Sequence, residues 1–574
     1  MQKEEVRMQK KETLFLIHPF AFFLGATLLI FATKNVQAAN DLFDTNKVLS
    51  IEIKIAPADW KLLRYQHRES EFFPEEGVTT ATNAYSWFPA EVALNGESFR
   101  KAEIRKKGYI GSNDTKRPGL KIRLKQLPDK RSNSDGPELT LNNNNQDPAL
   151  VRQPLAYEVF RRAGIPAPQC NFASVTVNGK SLGIYTHVET IKEPFLKRHF
   201  NSAKGNMYEG GRSDFRPGWF QNFEIKNNEN TNHRADLEAA TRAIDSAKGS
   251  LMPVLDRYFN TEEFFRFWAV ESLINFGDGY AGNANNFYLY HDPVTDRFVF
   301  IPWGADSVFY PGRGFNNTKG DPKSVIAVGL LANRLYNSPD GAERYRKTLR
   351  RILDDAWNEE ALLQEVNRLE ALISSAFPTG AQEFKENVEG VRQFIKTRRS
   401  VLQPELDGPV PDLKSKPLEI AKRRNVGSFE GTFSTTWAQV NPADTFGQGT
   451  ATLTGKLWGE TIQFSKVGIQ AGGRTNDSSE EQPVITLNGV DSAKGQRYLI
   501  YLAIDPESYA AGTPIAIDNT HIFGGLVQMD EKGQSSKMIG MLRGSLWLKS
   551  ANREAGGKIE GEFKADVFSK LPKP

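Results

Sequence analysis

The sequence predicts an α+β protein in three successive parts, which differ in the period of their apolar residues. Residues 48–191 alternate apolar and polar side chains as strands do, whereas residues 236–406 repeat them at helical spacing. After residue 424 the alternation returns, between turns rich in Gly, Asn and Asp. A chain of 574 residues has room for about two or three domains. We therefore expect a sheet-rich part, a helical part and a separate all-β sandwich or barrel domain.

Charge and cysteine content exclude one class of partner and two kinds of covalent or metal site. Lys and Arg number 73 against 69 Asp and Glu, for a net charge of +4, and no long basic run is present. Nucleic acid is therefore not a predicted partner. Cys170 is the only cysteine, so the chain can form no intramolecular disulfide and no zinc site made of paired cysteines.

The N-terminus predicts export. Lys10 and Lys11 precede an uncharged apolar stretch at residues 13–33, and Val36-Gln37-Ala38 has the small-x-Ala form of a cleavage site. We predict a signal peptide at residues 1–38. The alternative is an uncleaved anchor, since about 20 apolar residues can span a bilayer. Both place the remaining chain outside the cytoplasm, as a secreted, periplasmic or cell-surface protein.

Two local patterns stand out in the sheet-rich part. Residues 172–177 and 182–188 flank Asn178-Gly179, which predicts a β-hairpin on a type I′ turn. One helix is predicted to interrupt the strands, beginning at Asp147-Pro148 and ending at Gly164.

The helical part contains two amphipathic stretches, residues 344–376 and 381–402. The proline-containing residues 411–424 are predicted to link a first domain, residues 39–410, to the β domain, residues 425–574. Within that domain Phe429-Glu430-Gly431-Thr432-Phe433 is echoed by Ile559-Glu560-Gly561-Glu562-Phe563, which suggests matching first and last strands.

One ordered set of polar residues predicts phosphoryl-transfer chemistry. A helix capped by Thr261 and apolar nearly all round is followed by Asp278, Asn283, a β-hairpin and Asp306. Phosphoryl transfer needs one carboxylate to orient the attacking hydroxyl, and an amide oxygen and a second carboxylate to hold Mg²⁺ on the phosphates. Asp278 and Asn283 also have the Asp-x4-Asn spacing of protein kinases. The alternative is an ordinary turn rich in Asp and Asn.

An upstream turn has the features of a phosphate-binding loop. Gly108 lies in a turn between two predicted strands, and Lys121 lies on the second of them. Kinase-like folds hold nucleotide phosphates with a backbone cradle followed by such a lysine. Glu158, on the predicted helix, is the candidate ion-pair partner of Lys121. The alternative is a solvated basic hairpin.

Several dispersed motifs between residues 48 and 406 resemble the CotH (spore coat protein H-like) family of atypical secreted kinases. They are Leu141-Asn142-Asn143, Asp147-Pro148, Arg152, Leu155-Ala156-Tyr157, Gly164-Ile165-Pro166-Ala167-Pro168, Val177-Asn178-Gly179, Gly183-Ile184-Tyr185, Glu189, Asn286-Phe287-Tyr288-Leu289-Tyr290 and Ile301-Pro302-Trp303. The resemblance implies a two-lobed atypical protein-kinase-like domain that uses ATP and Mg²⁺ or Mn²⁺ to phosphorylate Ser or Thr of exported proteins. The C-terminal β domain is then the candidate for attachment to a cell surface or coat.

The resemblance also assigns roles to residues. It implies that Asp278 is the catalytic aspartate and Asn286 the metal-binding asparagine. It places four side chains around the phosphates: Lys121, Arg105, Glu158 and Arg152.

One departure from the family divides two functional hypotheses. The family usually has Pro-Trp-Asp-x-Asp, whereas this chain has Gly304 at the first Asp position and keeps Asp306. Either Asp306 binds the metal, or the chain is a catalytically inactive pseudokinase that acts as a surface or coat assembly protein.

Overall fold

The structure is a computed structural model, and the predicted signal peptide lies outside the residues that it describes. It describes residues 42–66, 85–108, 110–125, 137–312, 318–374, 381–419, 423–438, 446–475, 481–506, 508–518, 521–530 and 536–570. Across these ranges, no helix has the length and the apolar character needed to cross a membrane.

Seven strands of the sheet-rich part close into a barrel in the order β1-β2-β3-β4-β5-β7-β6. Their bounds are β1 Val48–Lys54, β2 Phe88–Leu94, β3 Glu97–Lys107, β4 Gly119–Leu124, β5 Glu138–Asn142, β6 Cys170–Val177 and β7 Lys180–Val188. Neighbouring strands are antiparallel, except for the parallel pair of β1 and β6 that closes the barrel.

Alternation decides which side chains of the barrel face inward. Ile104 of β3, Ile122 of β4 and Leu141 of β5 belong to its apolar core. Arg105 and Lys121 alternate with these core residues, so they lie on the outer face.

The hairpin prediction is confirmed, and the prediction of a single helix is wrong. β6 and β7 are joined by Asn178 and Gly179 with φ of 50° and 80°, as a type I′ turn requires. The expected helix is α2, Arg152–Arg162, but α1, Pro57–Tyr65, precedes it. α1 is only nine residues long and buries Leu63 and Tyr65, too few apolar positions for a clear helical period.

A second sheet and most of the helices follow the barrel. The sheet has the order β11-β10-β8-β9, with β8 Met207–Gly210, β9 Glu224–Ile225, β10 Phe287–Asp292 and β11 Arg297–Pro302. The helices are α3 Glu193–His199, α4 Ala235–Ser246, α5 Met252–Tyr258, α6 Thr261–Leu273, α7 Tyr280–Asn283, α8 Leu330–Tyr336, α9 Pro339–Asp355, α10 Glu359–Ser374 and α11 Ala381–Asp407. The predicted stretch 344–376 is therefore two helices, α9 and α10.

α6 forms the centre of the helical part, as its apolar sequence predicts. Phe264 and Phe267 have ring centroids 4.9 and 5.2 Å from that of Phe300 on β11. The N-cap is Asn260 instead of Thr261, because the Asn260 side chain accepts the backbone N–H of Glu263. α6 thus packs against the hairpin formed by β10 and β11.

Residues 409–419, which we call the return segment, follow α11 and form neither helix nor strand. They are nevertheless bound to the helical part. The Asp321 carboxylate accepts the backbone N–H of Ser415 at 3.0 Å, the Leu418 N–H donates to the Val328 carbonyl at 2.8 Å, and Ser415 is 4% exposed. Part of the predicted linker therefore lies along the helices.

The last part is one eleven-stranded sheet around a single apolar core. Its strands are β12 Arg424–Thr436, β13 Gly449–Ala451, β14 Thr454–Leu457, β15 Glu460–Ile462, β16 Phe464–Thr475, β17 Glu481–Asp491, β18 Arg497–Ile504, β19 Pro514–Ile517, β20 Ile522–Met529, β21 Ser536–Ala551 and β22 Lys558–Ser569. The echoed motifs lie on β12 and β22, which pair antiparallel with Phe433 opposite Gly561. A bridge between Trp437 and Ala471 brings the end of β12 beside β16, so the sheet is rolled.

We predict that a fragment of residues 424–574 folds alone with a cooperative thermal transition. The apolar core of this sheet draws its members from residues 426–567, so the fragment keeps all of them. Calorimetry and limited proteolysis test this expectation. A molten, protease-sensitive fragment would show that the sheet depends on the preceding chain.

Candidate functional site

Asp278 follows α6, and its carboxylate is held by three side-chain amides. Oδ1 accepts Nδ2 of Asn283 at 2.6 Å and Nδ2 of Asn285 at 3.2 Å, while Oδ2 accepts Nδ2 of Asn286 at 2.8 Å. Burial raises the pKa of Asp278, and these hydrogen bonds oppose that shift. The arrangement fixes the orientation of a mostly buried carboxylate.

The backbone beside Asp278 is held by a second buried carboxylate. Glu271 of α6 accepts the N–H groups of Tyr280 and Ala281, at 2.8 and 2.7 Å, and is fully buried. These N–H groups open α7 and have no partner within that helix. Burial raises the pKa of Glu271 to about 8. The sequence analysis missed Glu271, because the apolar residues around it on α6 indicate only a core helix.

Asn283, a predicted metal ligand, has its oxygen engaged elsewhere. Arg212 Nη1 donates to Asn283 Oδ1 at 2.5 Å, while the Asn283 amide donates to Asp278. Arg212 also carries its positive charge near the Asp278 carboxylate. Asn283 is therefore placed to orient Asp278. Its amide oxygen is already hydrogen-bonded to Arg212, so the Asp-x4-Asn spacing does not by itself identify a metal ligand.

The β10–β11 hairpin brings Asp306 beside the Asp278 loop, as the sequence order predicts. Phe287 pairs with Pro302, and the Trp303 N–H donates to the Asn286 carbonyl at 3.1 Å. Asp306 is 7% exposed, and burial raises its pKa. The negative charge of Asp278 adds to that rise, so the two carboxylates are close enough to interact electrostatically.

Gly304 occupies a position that leaves little room for a side chain. Its φ is 56°, in the left-handed region, and an added Cβ would lie 2.6 Å from Oδ1 of Asn286. Asn286 itself has a φ of 54°. Glycine at 304 thus permits the present position of the Asn286 amide.

The oxygen donors of Asn286 and Asp306 are of the types that a divalent metal such as Mg²⁺ prefers. Among the described residues no donor reaches Oδ1 of Asn286, and no group of three or more His, Cys, Asp or Glu is arranged to hold a metal. Mg²⁺ commonly takes one or two carboxylates and completes its shell with water and substrate phosphates. One carboxylate and one amide oxygen suit that chemistry and do not suit a zinc site.

The predicted Lys121–Glu158 ion pair is wrong. Lys121 Nζ lies 3.3 Å from Oε1 of Glu138 on the neighbouring strand β5, whereas Glu158 pairs with Arg161 and Arg162 at 2.9 Å. Burial lowers the pKa of Lys121 to about 8, and the Glu138 charge opposes that shift. Glu138 supplies the partner because β5 is hydrogen-bonded to β4.

The sequence analysis missed Lys107, which is a candidate phosphate-binding lysine because it is desolvated and interacts electrostatically with Asp306. Burial lowers its pKa, and the negative charges of Asp306 and Glu209 oppose that shift. Alternation along β3 carries the signal that could have found it, since Ile104 and Lys106 are buried and Lys107 lies on the opposite face.

Arg152 and Arg105, both expected around the phosphates, have protein partners here. Arg152 is 2% exposed, its Nη1 lies 3.1 Å from Asp147 Oδ1, and its guanidinium lies 4.0 Å from the ring centre of Tyr310. Arg105 lies 4.8 Å from the ring centre of Trp87. Arg152 is therefore committed to a buried ion pair.

Gly108 directly follows β3 and has a φ of 106°. It precedes the β3–β4 turn, which we define as residues 110–118. An added Cβ would lie 2.1 Å from the Ser112 hydroxyl oxygen. A side chain at position 108 would therefore collide with Ser112.

Comparison with known proteins identifies relatives of the chain. Inner spore coat protein H of Bacillus subtilis is 22% identical over 288 residues, covering 47% of this chain and 78% of that protein. Spore coat protein homolog 1 of Rhizopus delemar is 24% identical over 243 residues, and the match covers 38% of each chain. The Helicobacter pylori proinflammatory kinase CtkA aligns over 53% of this chain and 95% of its own at 12% identity, with a TM-score of 0.28, too low to bear on fold or activity.

The sequence profile of the family described as CotH kinase protein matches residues 96–402. These residues contain β3 to β5, the Asp278 loop, the hairpin and Asp306. The match covers more than half of the chain, and the site lies entirely within it. The chain therefore belongs to the CotH kinase family.

Proposed function

We propose that this protein is an exported atypical protein kinase that transfers the γ-phosphoryl group of ATP to a Ser or Thr hydroxyl of another exported protein. The observation that carries the proposal is Asp278, a carboxylate oriented by three amides and placed within electrostatic reach of Asp306. The barrel would be the first lobe of a kinase, and the helical part with the β8–β11 sheet would be the second. Membership of the CotH kinase family supports this assignment.

In the proposed reaction Asp278 accepts the proton of the attacking hydroxyl. The new bond joins that oxygen to the γ-phosphorus as the bond to the β-phosphate oxygen breaks and ADP leaves. Asn286 and Asp306 would hold Mg²⁺ or Mn²⁺, which neutralises charge developing on the phosphates. Lys107 would add a positive charge beside Asp306.

The names of the relatives support a coat or surface location for this chain. They include spore coat proteins and invasins. We propose that the exported substrate is met there and that the C-terminal sheet attaches the protein to the cell surface or coat. The near-neutral net charge gives no support to a nucleic-acid partner.

A second candidate function is a binding or assembly protein without catalysis. Gly304 favours it, because a carboxylate implied by the family resemblance is missing there. Binding of ATP with and without Mg²⁺ or Mn²⁺ by the whole chain separates the two candidates. Phosphate transfer to casein as a general acceptor then tests catalysis.

Asp278→Asn should lower phosphate transfer by about 10² or more, because the amide cannot accept the hydroxyl proton. Binding of ATP and Mg²⁺, measured by calorimetry, should remain. Asp355→Asn, at an exposed aspartate of α9, is the control and should match the parent. Equal transfer rates in Asp278→Asn and the parent would contradict the role of Asp278.

Lys107→Met should weaken binding of ATP with Mg²⁺ by about tenfold or more, because it removes the positive charge beside Asp306. Lys121→Met is the matched control, since the charge of Lys121 is already neutralised by Glu138. Titration calorimetry of both variants makes the comparison. A loss confined to Lys121→Met would reassign the phosphate contact to Lys121.

Gly304→Ala should raise the Mg²⁺ concentration needed for ATP binding, because its Cβ would displace the Asn286 amide. Gly304→Asp brings the same Cβ together with a carboxylate, so its affinity for Mg²⁺ should exceed that of Gly304→Ala. The difference between the variants isolates the added charge. Identical titrations for Gly304→Ala and the parent would show that Asn286 does not hold the metal.

A further inference from the structure

Four consecutive asparagines, residues 142–145, end β5 and continue beyond it. Asn142, Asn143 and Asn144 are only 4%, 1% and 6% exposed. A buried side-chain amide destabilises a protein unless it is hydrogen-bonded, so each of these residues needs a structural reason.

Asn143 and Asn145 hold the β3–β4 turn. Asn143 Nδ2 donates to the carbonyls of Ser112 and Arg117, at 3.0 and 2.8 Å. Asn145 Nδ2 donates to the Gly111 carbonyl at 2.9 Å. The turn that follows Gly108 is therefore fixed to the end of β5 through three of its carbonyls.

Asn142 holds the carboxylate on the other side of the site. Its Nδ2 donates to Asp306 Oδ2 at 2.9 Å and to Gln153 Oε1 at 2.8 Å. Asn142 and Asn143 are neighbours in the chain, so their α-carbons are about 3.8 Å apart. The β3–β4 turn and Asp306 are thus positioned from the same short piece of backbone.

We propose that Asn142 and Asn143 are positioning residues that set the spacing between the β3–β4 turn, as the phosphate cradle, and the Asp306 carboxylate. This inference rests on the proposed function. Mg²⁺ requires ligands at about 2.0 to 2.1 Å in a near-ideal octahedron. A metal that joins Asp306 to phosphates under the turn therefore needs both held at a fixed separation.

The asparagines also supply a matched control. Asn144 belongs to the same run and accepts the Thr186 hydroxyl at 2.7 Å, while its amide donates to the Ile184 carbonyl. Within the described part of the chain, its side chain is hydrogen-bonded neither to the turn nor to Asp306. Its φ is 57°, so Asn144→Gly removes the amide without straining the backbone.

The test combines hydrogen exchange of the nucleotide-free full chain with calorimetry of ATP binding at varied Mg²⁺. Asn143→Ala should speed exchange within residues 110–118 and weaken binding of ATP with Mg²⁺, each by about tenfold, because it removes the two hydrogen bonds to the Ser112 and Arg117 carbonyls. Asn142→Ala should leave that exchange unchanged and raise the half-saturating Mg²⁺ concentration by about tenfold. Asn144→Gly should change neither quantity, even where it lowers the melting temperature.

Two results separate the inference from the proposed function. A parent protein that binds ATP with Mg²⁺, together with an Asn143→Ala variant that matches it in exchange and affinity, overturns the positioning role alone. A parent that binds no nucleotide overturns the proposed function and the positioning role with it. Should Asn143→Ala not fold, Asn145→Ala removes only the bond to Gly111 and should speed exchange of the turn by about threefold; unchanged exchange then overturns the inference.

Discussion

The geometry of the site depends on two hydrogen bonds, in which the buried Glu271 carboxylate accepts the backbone N–H groups of Tyr280 and Ala281. α7 is only four residues long, and its first N–H groups face the protein interior, where water cannot satisfy them. Glu271 accepts them from α6 and so ties the Asp278 loop to the apolar core that packs around the helices. Without this acceptor the N–H groups of Tyr280 and Ala281 would be buried without a hydrogen-bond partner, and the loop would no longer be fixed to α6 through them.

Tyr280 extends that connection to two further parts of the chain. Its hydroxyl donates to Asp214 Oδ1 at 3.1 Å and accepts the Leu331 N–H at 3.0 Å, while Asp214 Oδ2 accepts the Leu330 N–H at 2.8 Å. Tyr280, two residues after Asp278, is thereby joined to α8 and to the segment that follows β8. Backbone strain accumulates at the same place, with Ala284 and Asn286 both at positive φ. The surrounding hydrogen bonds and aromatic packing are what keep these conformations populated.

The sequence predicts the order of the site residues along the chain better than it predicts which side chains contact one another. Asp278, the hairpin and Asp306 are found in the expected order because each depends on local signals: a helix end, turn residues and alternating strands. The partner of Lys121 could not be found this way, since choosing Glu138 over Glu158 requires knowing that β5 pairs with β4. The engagement of Asn283 by Arg212 joins residues 71 positions apart and leaves no local pattern. The position of Lys107 could have been predicted, because strand alternation alone assigns its side chain to the outer face of the barrel.

The return segment limits how far the C-terminal sheet can travel from the helices. Leu418 is hydrogen-bonded to Val328, whose own N–H donates to the Ala281 carbonyl of α7 at 2.6 Å. The sheet begins at Arg424, six residues after Leu418. At no more than about 3.6 Å per residue, that stretch reaches about 20 Å. Arg424 therefore remains within about 20 Å of Leu418. A molecule bound near that end of β12 would be held close to the helical part, and its effective concentration there would depend on this tether as well as on its abundance.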